Sequence, residues 1–137
     1  MSEGGDVFSI NGQSLSVPDD HNCTTRNCIY CAQCTICNQI VLTLHADKED
    51  TYFGQTLQKM HLRIINGHRS KFNELDYEKS ALALHAYEHH PDQFNIEIFK
   101  FAVIKSCHPL RLNREEFRFI EKFNTNCSGI NRCKVQR

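Results

Sequence analysis

The chain has 137 residues, with 16 basic and 16 acidic side chains, so its formal net charge is zero. A chain of this length suits one domain with one hydrophobic core. No stretch approaches the roughly 20 apolar residues that a membrane-spanning helix needs, and the first residues lack the pattern of a secretory signal peptide. We therefore expect a soluble, intracellular protein that does not associate with membranes.

The charges are distributed unevenly along the chain. Residues 1–50 carry seven acidic and two basic side chains, whereas residues 51–137 carry nine acidic and fourteen basic ones. A basic surface can bind phosphate groups even when the total charge is zero. Lys59, Arg69 and Lys71 are therefore candidate nucleic-acid-binding residues, with a solvated helix face as the alternative for the two lysines.

The N-terminal part of the chain is polar. Residues 1–22 include three glycines and one proline, which predicts a flexible leader with a short strand at Val7–Ile10. The domain itself is expected to span residues 23–137.

A run of cysteines follows the leader. The segment 23–37 reads CTTRNCIYCAQCTIC, and without a secretory signal such a run favours metal binding over disulfide bonds. If it begins as a strand, Cys28 and Cys31 lie on opposite faces and are better explained as small buried hydrophobic residues. Cys34 and Cys37 leave the strand and form a better pair of ligands for one Zn²⁺ ion. A redox-active pair is the remaining alternative.

Two more strands are predicted before the middle of the chain. Gln39–Leu44 is rich in branched residues and favours a strand, and His45–Asp50 reads as a polar turn. Thr51–Phe53 then opens a third strand. These strands predict an antiparallel meander that leads into a central helix.

The central helix is predicted to follow a glycine turn. Gly54 can take backbone angles that other residues avoid, and Thr56 is a plausible N-cap. Leu57, Met60 and Ile64 recur at helical spacing and predict the stripe that faces the core.

The same segment suits a phosphate-binding site. Tyr52 stands at the end of a strand, and Arg63 lies on the helix that follows the turn. Helix N-termini attract anions, and a guanidinium group can bind two phosphate oxygens at once. Alone this pattern is weak, because most glycine turns before helices are only turns.

A second helix is predicted over Ser80–His90, capped by its first residue and ended by the following proline. His85 and His90 are spaced like the second ligand pair of a zinc finger, with His89 as a rival for His90. Together with the earlier cysteine pair, they predict one site that ties two distant parts of the domain together.

A long apolar strand and a third helix complete the chain. Phe94–Ile104 changes its alternation midway, which predicts a bulge or two buried faces. A helix is predicted over Arg114–Asn124, with Asn113 as a possible N-cap. Glu115 and Arg118 share its solvent face and can form an ion pair.

Glu116 has an unusual position for a carboxylate. It falls on the apolar stripe formed by Phe119, Ile120 and Phe123, and a buried carboxylate is costly unless it is paired or binds a cation. Glu116 is therefore a candidate metal ligand or the partner of a buried arginine such as Arg63. The alternative is a glutamate at the edge of the stripe that reaches solvent.

Taken in order, these residues resemble the motifs of a GIY-YIG endonuclease domain, most closely the version attached to Penelope-like retroelement reverse transcriptases. The resemblance covers about residues 23–135. The matching positions are Cys28-Ile29-Tyr30, Tyr52-Phe53-Gly54-Gln55-Thr56, Arg63, Asn66-Gly67-His68-Arg69, Glu116 and Asn131, together with a CCHH zinc motif at Cys34, Cys37, His85 and His90.

The resemblance implies an α+β fold: a small, mostly antiparallel three-stranded sheet flanked by helices, with an embedded structural zinc site. It implies a metal-dependent DNA endonuclease that nicks target DNA to prime reverse transcription. The implied partners are DNA and a reverse transcriptase domain with its RNA template, and the implied location is the nucleus. The alternative is a catalytically inactive, zinc-stabilised module that binds nucleic acid or protein.

The resemblance also implies roles for single residues. Glu116 would bind one Mg²⁺ or Mn²⁺ ion, Tyr52 or Tyr30 would take a proton from the attacking water, and Arg63 would hold the phosphate. The remaining catalytic candidates are His68, which would orient the water or a tyrosine, and Asn131, which a late turn would return to the site.

Three departures from the family pattern stand out. Cys28 replaces the first glycine, and the span between the two tyrosine motifs is longer than usual. Arg63 and His68 are five residues apart where the family more often has four, which on a regular α-helix separates them by about 140°. We therefore predict a one-residue π-bulge at Ile64-Ile65, a feature frequent at functional sites.

Overall fold

The structure is a computed structural model that describes residues 6–19, 21–40, 51–73, 80–125 and 129–132. The predicted polar turn His45–Asp50 lies outside these residues. No helix in the described ranges is long and apolar enough to cross a lipid bilayer.

The chain begins with an antiparallel hairpin of strands β1 (Val7–Ile10) and β2 (Gln13–Ser16). The predicted strand at Val7–Ile10 is confirmed. Within the predicted leader, Phe8 and Ile10 are buried in an apolar cluster with residues of the main sheet.

Three antiparallel strands form the main sheet. Strand β3 (Cys28–Cys34) lies in the centre, with β4 (Thr51–Thr56) on one side and β5 (Phe99–Ser106) on the other. Helices surround this sheet, so the expected α+β class with a small three-stranded antiparallel sheet is confirmed.

Alternate residues of β3 enter two apolar clusters, one on each face of the sheet. Cys28 and Tyr30 belong to the first cluster, whereas Ile29 and Cys31 belong to the second. Both cysteines are fully buried. The prediction that they lie on opposite faces as small hydrophobic residues is confirmed.

The strand predicted at Gln39–Leu44 is wrong for the residues that the structure describes. Helix α1 (Thr35–Ile40) follows β3 directly and includes Gln39. Strand propensity is overridden here because the chain leaves the sheet as soon as β3 ends. Residues 41–44 lie outside the described part of the chain.

The central helix runs without interruption through three segments: α2 (Met60–Leu62), a π-helix at Arg63–Arg69, and α3 (Ser70–Asn73). The predicted departure from α-helical geometry is therefore confirmed. It extends over the whole segment from Arg63 to Arg69 rather than over Ile64-Ile65 alone.

The start of the central helix differs from the prediction. Gly54 is paired within β4, and this strand continues to Thr56, so there is no glycine turn. The hydroxyl of Thr56 accepts a hydrogen bond from Gln58 N at 3.0 Å in the turn before the helix and is not its N-cap. Leu57 is 60% exposed, so its place in the buried stripe is wrong, whereas Met60 is fully buried as expected.

Helix α4 (Ala81–His89) is capped as predicted, with Ser80 Oγ accepting a hydrogen bond from Ala83 N. The next strand begins later than predicted, because Ile96–Ile98 forms a 3₁₀ turn before β5. The register of β5 against β3 shifts at Ile104, between the pairs Ile29–Lys105 and Tyr30–Val103. The predicted change of alternation at Ile98–Phe99 marks the end of the 3₁₀ turn and not a bulge.

Helix α5 (Leu112–Phe123) ends at Asn124, which adopts a left-handed conformation with φ of 60°. Asn113 is not its N-cap, since the Asn113 side chain instead accepts a hydrogen bond from Gln55 Nε2. Glu115 pairs with Arg118 as predicted, but it is buried and also pairs with Lys105, so it does not lie on an open solvent face.

Candidate active site and metal centre

Tyr30 and Gly54 lie directly opposite each other on β3 and β4. A Cβ atom on Gly54 would lie 2.5 Å from Cζ of Tyr30 and 2.8 Å from Cε1 of Tyr52, closer than side-chain atoms can approach. Glycine is therefore required because the Tyr30 ring occupies the space that a Cβ atom would need, and not because the backbone turns there.

Tyr30 is joined to the π-helix by a short hydrogen bond. Its hydroxyl lies 2.5 Å from Nε2 of His68, and both side chains are buried. Burial and the nearby Arg63 guanidinium lower the pKa of His68 to about 3, and burial raises the pKa of Tyr30 well above its usual value. Both groups are therefore neutral at pH 7, and the Tyr30 hydroxyl can donate to a neutral imidazole.

Arg63 brings a charged group into the same cluster. It hydrogen bonds to Tyr30, and its Nε is buried without a hydrogen-bond partner among the described residues. Burial acts to lower the pKa of the guanidinium, but Tyr30, Tyr52 and Glu116 together raise it, so Arg63 stays charged. A Cβ on Gly67 would lie 3.0 Å from Nη1 of Arg63, so the glycine leaves room for this side chain.

Tyr52 is half-buried next to the same groups. Its ring centroid lies 6.3 Å from that of Tyr30 and 6.2 Å from that of His68. Both tyrosines therefore contact the imidazole that the π-helix presents.

Glu116 lies at the edge of this cluster. It is 4% exposed, and its charge acts on the pKa values of both Tyr30 and Arg63. The expected burial of Glu116 is confirmed, and the alternative of a glutamate reaching solvent is wrong. Helix α5 thus brings a carboxylate close to the guanidinium and the tyrosine.

Asn131 holds the backbone of β4. Its Oδ1 accepts hydrogen bonds from Phe53 N at 2.8 Å and from the Thr125 hydroxyl at 2.8 Å, and its Nδ2 donates to Phe53 O at 2.9 Å. Asn131 therefore fixes the residue between Tyr52 and Gly54. It reaches the site as a positioning residue, through the backbone.

A second group of side chains can hold a metal ion such as zinc. The ligand atoms of four residues all lie within 4.8 Å of one another: Cys34, Cys37, His85 and His90. No other such group of three or more histidine, cysteine or acidic residues is found in the described ranges.

The distances within this group fit a tetrahedral ion. Cys37 Sγ lies 3.5 Å from His85 Nε2 and 3.2 Å from His90 Nε2, and Cys34 Sγ lies 3.3 Å from His90 Nε2. Around a tetrahedral Zn²⁺, sulfur and nitrogen ligands are about 3.5 Å apart. His89 is exposed, so the rival for His90 is excluded from the group.

The electrostatics of the cysteine pair also favour a cation. A hydrogen bond from Cys37 and the proximity of His85 lower the pKa of Cys34 to about 4, although burial acts in the opposite direction. A thiolate is the form that binds metal ions. The predicted set of four ligands is therefore brought together in full.

The three predicted nucleic-acid-binding residues differ in exposure. Arg69 is exposed at the end of the π-helix, whereas Lys59 and Lys71 are half-buried. Their positions leave the prediction untested.

Two residues of the site were missed by sequence reasoning. Phe101 on β5 contacts both rings of the Tyr30–His68 pair, with centroid distances of 6.4 and 5.8 Å. Its place in an alternating apolar strand indicated burial but not its neighbours. Thr125, which orients Asn131, follows the end of α5 and carried no recognisable signal.

No protein-family model, curated protein or solved structure matches this chain.

Proposed function

We propose that the protein is a metal-dependent DNA endonuclease that cuts one phosphodiester bond per event. The observation that carries this proposal is the convergence of two tyrosines, a charged arginine, a neutral histidine and a buried glutamate from four separate elements. Such a combination offers an anion clamp, a proton relay and an oxygen ligand for a hard cation within one cluster.

Arg63 would bind the scissile phosphate. The guanidinium stays charged, so it can donate hydrogen bonds to phosphate oxygens. The same charge would offset the negative charge that develops in the transition state.

Tyr30 and His68 would move the proton of the attacking water. Tyr30 is protonated in this environment, so it can accept a proton from water only while passing its own proton to His68. An anionic phosphate beside Arg63 would offset the guanidinium charge and raise the pKa of His68, which makes that transfer easier. Tyr52, half-buried beside both, is the alternative proton acceptor.

Glu116 would hold one Mg²⁺ or Mn²⁺ ion. Mg²⁺ is commonly bound by one or two carboxylates together with substrate phosphates, which suits a single buried glutamate near a phosphate clamp. When bound, such an ion supplies polarisation of the phosphate and stabilisation of the leaving oxygen.

The Cys34, Cys37, His85 and His90 group would hold a structural Zn²⁺. Four protein ligands leave no open position for a substrate or water, which is typical of structural rather than catalytic zinc. The ion would tie the end of β3 to helix α4.

The resemblance to retroelement endonucleases extends the proposal. The protein would nick target DNA in the nucleus to prime reverse transcription, with a reverse transcriptase domain and its RNA template as partners. The five-residue spacing of Arg63 and His68 favours the alternative, an inactive zinc-stabilised binding module. The hydrogen bond between Tyr30 and His68 supports the endonuclease, because the π-helix brings His68 into the cluster.

A plasmid-nicking assay tests the proposal directly. Zinc-loaded protein with Mg²⁺ or Mn²⁺ is expected to convert supercoiled plasmid to open circles, and Glu116→Gln is expected to slow this by about 100-fold or more. Glu97→Gln, at an exposed position outside the cluster, serves as the matched control and should nick at the wild-type rate. Equal nicking by wild type and Glu116→Gln would reject the assigned metal ligand. Duplex binding without nicking by any form would instead support the binding-module alternative.

A further inference from the structure

Helix α5 carries a row of basic side chains that the proposed chemistry does not use. Arg111 immediately precedes the helix, and the row continues through Arg114, Arg118 and Lys122. At about 100° per residue, these four positions fall within an arc of about 80° around the helix axis. All four side chains are exposed, and we call them the basic row.

The basic row borders a concavity of about 460 Å³ between α5 and the end of β5. Lys105 adds a further cation at its wall, and Glu115 and Glu121 are the acidic groups that line it. Glu115 is already paired with Lys105 at 3.0 Å and with Arg118 at 3.3 Å. The row and the concavity together therefore hold five cations and two carboxylates, a net charge of +3.

The length of the basic row matches a nucleic-acid backbone. Arg111 and Lys122 are eleven positions apart, which corresponds to about 17 Å along a helix. One turn of B-DNA is about 34 Å long, so the row can follow the phosphates of one strand over about half a turn.

Two exposed apolar residues lie next to the basic row. Phe117 is 58% exposed and follows Glu116 directly, so around the helix axis it falls between Glu116 and Arg114. Leu110, before the helix, is 89% exposed. Apolar side chains next to cations are typical of surfaces that contact both the backbone and the bases or sugars of nucleic acids.

We propose that the basic row of α5 is the track along which duplex DNA lies, rather than the central helix with Lys59, Arg69 and Lys71. The proposal rests on the endonuclease function proposed above, because it assigns the substrate of that same site.

Salt-dependent binding of a fluorescein-labelled 20-base-pair DNA duplex tests the proposal, with zinc-loaded protein and no other divalent ion. The logarithm of the binding constant falls linearly with the logarithm of the salt concentration. Each phosphate contact adds about −0.9 to the slope of that line. The triple variant Arg111→Gln/Arg114→Gln/Lys122→Gln should therefore have a slope that is less steep than that of the wild type by about 2.7. For Arg114→Gln alone the slope should be less steep by about 0.9. Arg118 and Lys105 are left intact because they pair with the buried Glu115.

Lys100→Gln is the matched single-charge control. Lys100 lies at the other end of β5, pairs with Asp6 at 3.6 Å and stands over the ring of Phe8. This variant should keep the wild-type slope. Circular dichroism and zinc content show that each variant is folded before it is compared.

The outcomes separate this proposal from the endonuclease proposal. A triple variant that binds duplex DNA with the wild-type slope overturns the basic row as the track, even if the wild type nicks plasmid. A slope that depends on the row in a protein that never nicks supports the track and rejects the nuclease. Absence of duplex binding by the wild type, or a row-dependent slope for duplex RNA only, overturns the assignment to DNA.

Discussion

Gly54 lies in the middle of β4, where a glycine weakens a strand unless something requires it. The requirement is the Tyr30 ring, whose Cζ and hydroxyl oxygen both fall 2.5 Å from the place of a Cβ atom. A glycine can therefore be needed for the space above its Cα, even when its backbone angles are ordinary. Sequence reasoning recognised the glycine but assigned it to a turn.

This contact predicts the effect of adding one methyl group. Gly54→Ala should displace the Tyr30 ring, which is packed on both sides, and lower the free energy of unfolding by about 1–3 kcal/mol. It should also disrupt the Tyr30–His68 hydrogen bond and with it the nicking activity. Unfolding in urea, followed by circular dichroism, measures the first effect.

Gly67→Ala is the matched control for Gly54→Ala, because it also adds one methyl group at a crowded glycine. The new Cβ would lie 3.0 Å from Nη1 of Arg63, the end of a flexible side chain that can move. We expect a smaller loss of stability, below about 1 kcal/mol, since alanine also favours a helix over glycine. A Gly54→Ala protein as stable as Gly67→Ala would show that the Tyr30 ring does not hold the position that explains the glycine.

Among the elements of the fold, the π-helix determines which side chains meet at the candidate active site. Arg63 and His68 both reach Tyr30, although five residues separate them, because each turn from Arg63 to Arg69 is wider than an α-helical turn. A π-helical segment commonly corresponds to one extra residue within an α-helix. The extra residue shifts the register so that Met60 before the segment and Phe72 after it can both be buried.

Deletion of Ile65 tests this account. Ile65 is 48% exposed, so its removal costs little packing and should let the segment close into a regular α-helix. We expect the variant to fold, to be as stable as the wild type or about 1 kcal/mol more stable, and to retain nicking. Thermal unfolding and the plasmid assay provide the measurements.

Deletion of Met60, outside the π-helix, is the control for this experiment. It would remove a fully buried side chain and shift the register of a regular segment, so we expect a large loss of stability. If removal of Ile65 is as damaging as removal of Met60, the segment is not an α-helix with one extra residue.

At the scale of the whole molecule, β3 connects the two sites. Tyr30 and Cys34 lie on the same face of this strand and in the same apolar cluster. Phe99 and Phe101 of the neighbouring strand contact His85 and His68, respectively, with centroid distances of 5.9 and 5.8 Å. An ion that ties β3 to α4 would therefore stiffen the wall against which the Tyr30–His68 pair is packed.

This connection predicts the consequence of losing a metal ligand. The wild type should contain one zinc ion per chain, and Cys37→Ser should lose it, with the unfolding free energy lowered by about 3 kcal/mol or more. Elemental analysis and thermal unfolding measure both effects. Cys23→Ser, at an exposed cysteine outside the cluster, should retain the metal.

Zinc content also decides between the metal and redox interpretations of the cysteine run. A redox pair predicts reactive Cys34 and Cys37 thiols and no bound metal. Wild-type protein that lacks zinc and reacts readily with a thiol reagent would therefore contradict the metal centre.

Local sequence patterns were sufficient for most of the elements and for the four metal ligands. The capped helix that contains His85 was found because capping and periodicity act over a few neighbouring residues. The burial of Glu116 followed from its phase on one helix. These features depend on interactions that lie within a short window of the chain.

Other features depended on contacts between residues far apart in the chain. A helix forms at Thr35–Ile40, where local propensity favours a strand. The hairpin at residues 7–16 packs on residues of the main sheet that are far away in the chain, so its burial could not be read from the local sequence. The choice of His90 over His89 was decided in the same way, because it depends on where β3 ends relative to α4.

The spacing and type of the residues predicted the α+β class, three of the metal ligands with His89 and His90 as rivals for the fourth, and the side chains proposed for the active site. Only the tertiary structure decided why Gly54 is a glycine, how His68 reaches Tyr30, and that Asn131 holds the backbone of β4. Those three outcomes depend on distances between strands and helices that are separated by 24 or more residues in the chain, and no local pattern encodes such distances.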